Sequence, residues 1–386
     1  MAQPTLAVAP NRHIDLNTMA RLLNDQKARA VDIIAGAAAI QCVDGRLVVQ
    51  GTLPQLGSEG VTLTAGTYTL TDISLGGVGD KLGVPVAYLR RMASDNVALL
   101  DANVNGWLTH DERRFLVRCL HHDTAAAAPG DGVARAFLSD RFLRIDNLDV
   151  LMAALDGIRQ AGVAVEVASC DLTERRMYVR FVSPEVQVMA PDLLRNYRSP
   201  FDGRRGSDLP VISGGFMLTN SETGFGRYTV APWLRVEVCR NGQTVDRGVL
   251  SRTHIGSRIT DTDGIINPSS QTMRTLLELI TAQTTDAVRA YLDVDFVTRA
   301  VQELEKAAST PVAKPDDTIK MVSQKLRYTE EQQQGILAHF ISSGDVSAGG
   351  VMQAVTSYGR SVADADAAYR METTATQALH LAAAAA

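Results

Sequence analysis

The chain has 386 residues, a formal net charge of −5, 45% hydrophobic and 21% charged residues. That length allows two or three domains, or one large domain with an appendage. The composition is that of an ordinary soluble globular protein; its acidic excess excludes a protein that coats nucleic acid over its whole surface but leaves room for a local basic groove.

Cys42, Cys119, Cys170 and Cys239 are far apart and form no CxxC pair, which fits reduced, buried thiols in a cytoplasmic protein. The start, MAQPTLAVAPNRH, lacks a signal peptide's basic region ahead of an apolar run, and no apolar segment is long enough for a bilayer. No Lys falls between Lys81 and Lys306, which a GC-rich genome explains at least as well as selection for bidentate anion contacts.

In chain order, residues 1–12 read as disordered. Asp15 can cap a helix carrying Leu16, Met19 and Leu23 on one face. Extended runs follow at 30–34 and 38–43, and Asp44-Gly45 marks a hairpin. Thr71 or Asp72 starts a helix that Gly83 ends, Pro85 starts a second, and a third spans about 94–104 and stops near Asn105-Gly106. Strands are expected at 115–120, 134–139, 163–169, 177–182, 186–189, 211–219, 228–238 and 244–250, with a helix at 147–161 between them. The segments 123–132 and 191–209 read as loops. After Gly264 the pattern is helical, interrupted by a linker at 308–317, with a Thr329/Gln332 capping box and Gly344 as a C-cap.

The expected fold is therefore α+β. It comprises a disordered start (1–12), an α/β N-terminal part (13–112), a largely antiparallel β-rich core (113–264) and a helical C-terminal part (265–386).

The densest polar clusters lie at 220–227 (NSETGFGR), 239–242 (CRNG) and His254. Asn220, Ser221 and the glycines fit a turn, which leaves Glu222 unexplained; Asn241-Gly242 fits a hairpin turn. Glu222, Cys239 and His254 are the candidate catalytic residues, on the logic of a nucleophile, a base and an orienting carboxylate. His121-His122-Asp123 reads as a solvated loop. In 139–147 alternation sets Arg144 and Arg141 on opposite sides of a strand, and Asp146 or Asn147 can cap the next helix. No metal, Walker or dinucleotide signature is present, and no metal or cofactor is expected.

Arginines run from Arg113 to Arg235, including Arg118, Arg135, Arg176, Arg180 and Arg198, with Tyr178, Tyr197, Phe201, Phe225, Tyr228 and Trp233 among them. Guanidinium groups beside aromatic faces suit single-stranded nucleic acid. Arg141, Arg144, Arg204, Arg205, Arg227 and Arg235 are the candidate contacts. A solvated sheet with its aromatics in the core explains the same pattern.

The stretches LGVPVAYLRRM (82–92), NVNGWL (103–108), RAFLSDRFLRIDNLDVL (135–151), TNSETGFGRYTVAPWLRVEVCRNG (219–242), SRTHIG (251–256) and AVTSYGRSVADADAAYRMET (354–373) together resemble the phage/plasmid-like protein family, domain-of-unknown-function family 932. The resemblance implies a setting more than a chemistry: phages, prophages, plasmids and integrative elements, near DNA-processing genes.

Three functions are in play. The first is a non-catalytic nucleic-acid-binding accessory protein, acting on single-stranded DNA in recombination or replication. The second is a hydrolase or nucleic-acid-processing enzyme using Glu222 and His254. The third is an assembly or host-interaction protein whose Ala-rich C-terminal helices carry homo-oligomerisation.

Overall fold

Asp15 accepts a hydrogen bond from the Thr18 amide and so starts the first helix. The computed structural model describes residues 7–50, 55–57, 60–62, 65–122, 131–245, 249–252 and 270–385. Residues 1–6, 123–130, His254 and 246–248 of the expected 244–250 strand lie outside the described residues.

The first elements are β1 (Asn11–Ile14), α1 (Leu16–Arg29) and β2 (Ala30–Gly36). β1 corrects the expectation of disorder up to residue 12: it pairs with a later strand, and the His13 amide donates to Asp171. A 3-10 turn at Ala37–Ala39 replaces the start of the expected extended run. β3 (Ile40–Val43) and β4 (Arg46–Val49) form the predicted hairpin, with Asp44 and Gly45 at φ 51° and 73°. β5 (Gln55–Gly57) and β6 (Gly60–Thr62) make a small sheet, followed by β7 (Gly66–Leu70).

Next come α2 (Asp72–Leu82), α3 (Val86–Asp95) and α4 (Val97–Thr109). Asn105-Gly106 lies inside α4 rather than ending it. The Asn105 side chain is committed to both backbone groups of Cys42, at 2.7 and 2.8 Å, so it ties α4 to β3 instead of forming a turn.

β8 (Arg114–His121), β9 (Asp131–Ser139), α5 (Asn147–Ala161), β10 (Glu166–Leu172) and β11 (Met177–Met189) follow. β11 joins two runs expected as separate strands; its register breaks between Val182 and Gln187. Then come α6 (Pro191–Leu194), β12 (Val211–Asn220), β13 (Tyr228–Val236), β14 (Asn241–Thr244) and β15 (Leu250–Arg252). The C-terminal helices are α7 (Ser270–Tyr291), α8 (Val294–Ala308), α9 (Pro315–Leu326), α10 (Glu330–Ser343), α11 (Ala348–Ser361) and α12 (Ala365–Ala384). The expected linker is shorter than its composition suggested, because Pro315 opens α9 from the first-turn position where a missing N–H costs nothing. The capping box at Thr329 and Gln332 is formed in both directions, and Gly344 closes α10 at φ 71°.

The class is α+β with a helical C-terminal part. The strands form two main sheets, in orders β2-β8-β9-β7-β4-β3 and β1-β10-β11-β12-β13-β14, with β15 also on β13. Among their pairings only β7 with β9 is parallel. The sheets do not divide at residue 112: β8 and β9 complete the N-terminal sheet, and β1 joins the second. The reason is pairing, since β2 matches β8 over its whole length.

Each sheet has its own core. Tyr68, Leu89, Phe115 and Phe137 fill the first, under α2, α3 and α4. The second holds Val179, Phe181, Phe216 and Val230 from the sheet with residues of α1, α5 and the C-terminal helices. Alternation along β11 sends Met177, Val179 and Phe181 into that core and Tyr178, Arg180 and Val182 to the opposite face, where Tyr369 and Glu372 of α12 meet them. Alanines of the C-terminal helices, among them Ala354, Ala375 and Ala378, are buried inside this core.

Asn241-Gly242 is not the turn residue pair. The turn is Glu237–Arg240, with Arg240 at φ 55°, and both predicted turn residues are buried in β14. Gly242 is required by packing: a Cβ there would lie 1.9 Å from the Trp233 ring.

Candidate nucleic-acid interface

Two sheets that each bury an apolar face must meet somewhere, and here they meet through charge. Arg118 of β8 is fully buried. Its guanidinium donates to both Asp32 oxygens at 2.8 and 3.1 Å, to Asp146 at 2.6 Å and to the Glu222 carbonyl at 3.1 Å. Burial opposes the charge on Arg118, but Asp32, Asp146 and Glu222 outweigh it and raise the pKa. Burial likewise pushes Asp146 up, and the guanidinium of Arg118 reverses that and holds its carboxyl below the ordinary range. Asp146 therefore spends its side chain on Arg118 rather than on capping α5.

That cap comes from Glu222. One carboxylate oxygen accepts from the Asn147 amide at 2.5 Å, and the other accepts from Arg135 at 2.5 Å, with both side chains buried. Asn220 donates to the Ile145 carbonyl and to Asn147. The carboxylate that a turn alone did not explain thus closes a helix terminus and pairs a buried arginine.

Of the other candidate catalytic residues, Cys239 is the one that is described. Cys239 is buried beside Tyr197, and burial pushes its thiol up to about 11, far from a thiolate at neutral pH. Its Sγ lies 3.9 Å from the Val236 carbonyl. The third member, His254, is outside the described residues. No group of three or more His, Cys, Asp or Glu residues placed to hold a metal occurs among the described residues.

Beside the junction lies an open cleft of about 800 Å³, between the end of β9, the β12–β13 turn and α12. Among the described residues four cations line it, Lys81, Arg141, Arg176 and Arg227, and no carboxylate does; the Lys81 ammonium is paired with the exposed Asp80 at 2.5 Å. Arg141 stands in a turn closed by the Phe142 amide on the Ser139 carbonyl, so 139–147 is not the strand that alternation suggested. Arg141 and Arg227 are exposed and have no ion-pair partner among the described residues. Arg176 is fixed by donating to the Phe225 carbonyl and by stacking 5.5 Å from the Tyr369 centroid. Gly226 makes room for it, since a Cβ there would come 2.7 Å from Arg176 Nε.

The β12–β13 turn holds its own shape. Ser221 accepts from the Phe225 amide at 2.9 Å and donates to the Arg175 carbonyl at 2.7 Å. This leaves Phe225 exposed at the cleft, with the Arg175 guanidinium 5.1 Å from its ring centroid.

Of the six candidate contacts, the cleft brings together Arg141 and Arg227. Arg144 faces Asp32 at 3.7 Å, at the junction. Arg235 is held by both oxygens of Glu237, and Arg204 by Asp202. Arg205 lines a different concavity. The broad arginine–aromatic sheet is mostly interior: Tyr178, Tyr197, Tyr228 and Trp233 are buried, as are the ion-paired Arg118 and Arg180. Lys81 and Tyr369 were missed, because they lie on helices distant in sequence from the β-rich stretch.

No protein-family model, curated protein or solved structure matches this chain. No helix among the described residues is long and apolar enough to cross a membrane.

Proposed function

We propose that the chain is a non-catalytic nucleic-acid-binding accessory protein working in the cytoplasm, and that the cleft holds a short stretch of single-stranded DNA. One observation carries the reading: among the described residues four cations, of which only Lys81 is ion-paired, and no carboxylate line an open cleft, in a protein of net charge −5. Counterions released from phosphates supply affinity in such a site, and Phe225 offers a ring face for a base. The resemblance to the phage/plasmid-like family supports a mobile-element setting in recombination or replication.

The test is fluorescence anisotropy of a labelled oligodeoxythymidine, titrated at several salt concentrations. R141A/R227A removes two phosphate contacts, so the slope of log K against log salt should become shallower by about 1.4, from about 0.7 per phosphate on single strands. R204A, whose guanidinium is already paired with Asp202, should leave it unchanged. Binding that is absent at low salt, or a slope indifferent to R141A/R227A, overturns the reading.

A further inference from the structure

A second concavity, of about 440 Å³, lies where the 195–207 segment meets the end of α10. Arg195, Arg198, Arg205, Ser207 and Ser342 line it, without a carboxylate among the described residues. The segment is fixed by its backbone. The Gly206 amide donates to the Tyr197 carbonyl at 2.8 Å, the Ser199 amide to Arg204 at 2.9 Å, and the Arg198 amide to Ser343 of α10 at 3.0 Å. Tyr197 and Ser199 are buried beneath it.

Those bonds set the arginines against each other. Arg198 and Arg205 are antiparallel bridge partners, flanked by the two hydrogen bonds rather than sharing them. This is the closer of the two antiparallel spacings, about 4.5 Å between Cα atoms, with both side chains on one face. Like charges placed there repel. Asp192 pairs with Arg195 and Asp202 with Arg204, but neither Arg198 nor Arg205 has an ion-pair partner among the described residues. The C-terminus of α10 supplies roughly half a negative charge, which offsets only part of theirs.

We propose that this concavity is a second anion site and that it takes a phosphate group. Two guanidinium forks on one face match the oxygens of a tetrahedral phosphate, and the Ser342 hydroxyl can donate to a remaining one, while the Ser207 hydroxyl donates to Asp208 at 3.4 Å. The hydrogen-bonded backbone fixes the two Cα positions from which the exposed side chains project, which removes the backbone part of the ordering cost of binding. None of these residues lines the first cleft, so the site stands whether or not that cleft binds DNA.

Inorganic phosphate titrated calorimetrically into the full chain at low ionic strength reads the site directly. R198Q/R205Q should weaken phosphate binding by about tenfold or more, as loss of charge-assisted hydrogen bonds does. R141A/R227A should leave it intact. R198K/R205K keeps the charge but loses the forks, so it should bind with an intermediate affinity and guards against a folding artefact in the Gln variant.

A second titration uses oligodeoxythymidine without terminal phosphate. If R198Q/R205Q weakens that binding too, the phosphate belongs to a nucleic-acid strand. If only inorganic phosphate binding falls, the ligand is a free phosphate or a phosphomonoester. The proposal is overturned if both titrations are indifferent to R198Q/R205Q. Failure of the first cleft reads out separately, as an oligonucleotide titration indifferent to R141A/R227A.

Discussion

Glu222 shows how one side chain changes meaning once its neighbours are known. In the sequence it is an acid inside a turn that does not need one. In the fold it pairs Arg135 and caps α5 through the Asn147 amide. Glu222→Gln keeps the shape but leaves Arg135 charged and buried without a counterion. Chemical denaturation should show a loss of about 3–5 kcal/mol, the cost of breaking a buried pair from one side. Combining it with Arg135→Met removes the stranded charge and should recover much of that loss. A Glu222→Gln protein as stable as the wild type would mean the pair is not what the carboxylate is for. Cys239 too is read differently in the fold: it is buried, and burial pushes its thiol up.

Elements were legible where local chemistry decides them. Asp15, Thr71 and Thr329 accept helix-capping hydrogen bonds, and the Asp44-Gly45 hairpin follows from positive φ at both residues. They were not legible where tertiary contacts outweigh local preference. Asn105 stays helical because Cys42 takes its side chain, and Asn241-Gly242 becomes a strand because Trp233 lies over it. The candidate site divides the same way. Arg227 stood out in a polar turn and Arg141 in a charged run read as a strand, whereas Lys81 and Tyr369 reach the cleft only through the packing of α2 and α12. The strand reading of Gly242 has a direct check. Gly242→Ala drives a methyl into the indole and should cost about 1–3 kcal/mol, typical of overpacking. Trp233 emission should shift with it. If Gly242 were a turn residue, Ala would strain the backbone and leave the emission of Trp233 unchanged.

At the scale of the molecule, the charged junction and the cleft are one mechanical unit. Arg118 holds Asp146, five residues after Arg141, and the Glu222 carbonyl, five residues before Arg227. The two exposed cations of the cleft therefore hang from chain segments tethered to a single buried guanidinium. Removing it acts on the cleft's geometry without removing either cleft charge. Arg118→Met leaves Asp146 without its guanidinium partner and Asp32 with only Arg144, 3.7 Å away, so stability should fall by about 3–5 kcal/mol. Adding Asp32→Asn and Asp146→Asn neutralises the stranded carboxylates and should restore much of it, since well-packed neutral replacements of buried ion clusters are often tolerated. The binding signature of this triple variant should differ from that of R141A/R227A. The same phosphates can still be neutralised, so the salt slope stays near the wild-type value. Affinity falls at every salt concentration, because the cations must be ordered on binding instead of being held beforehand. Parallel lines of log K against log salt, displaced downward, are the expected result. Coincident lines would show that the junction holds the sheets together but does not position the cleft, and converging lines would mean that cleft charge itself had been lost.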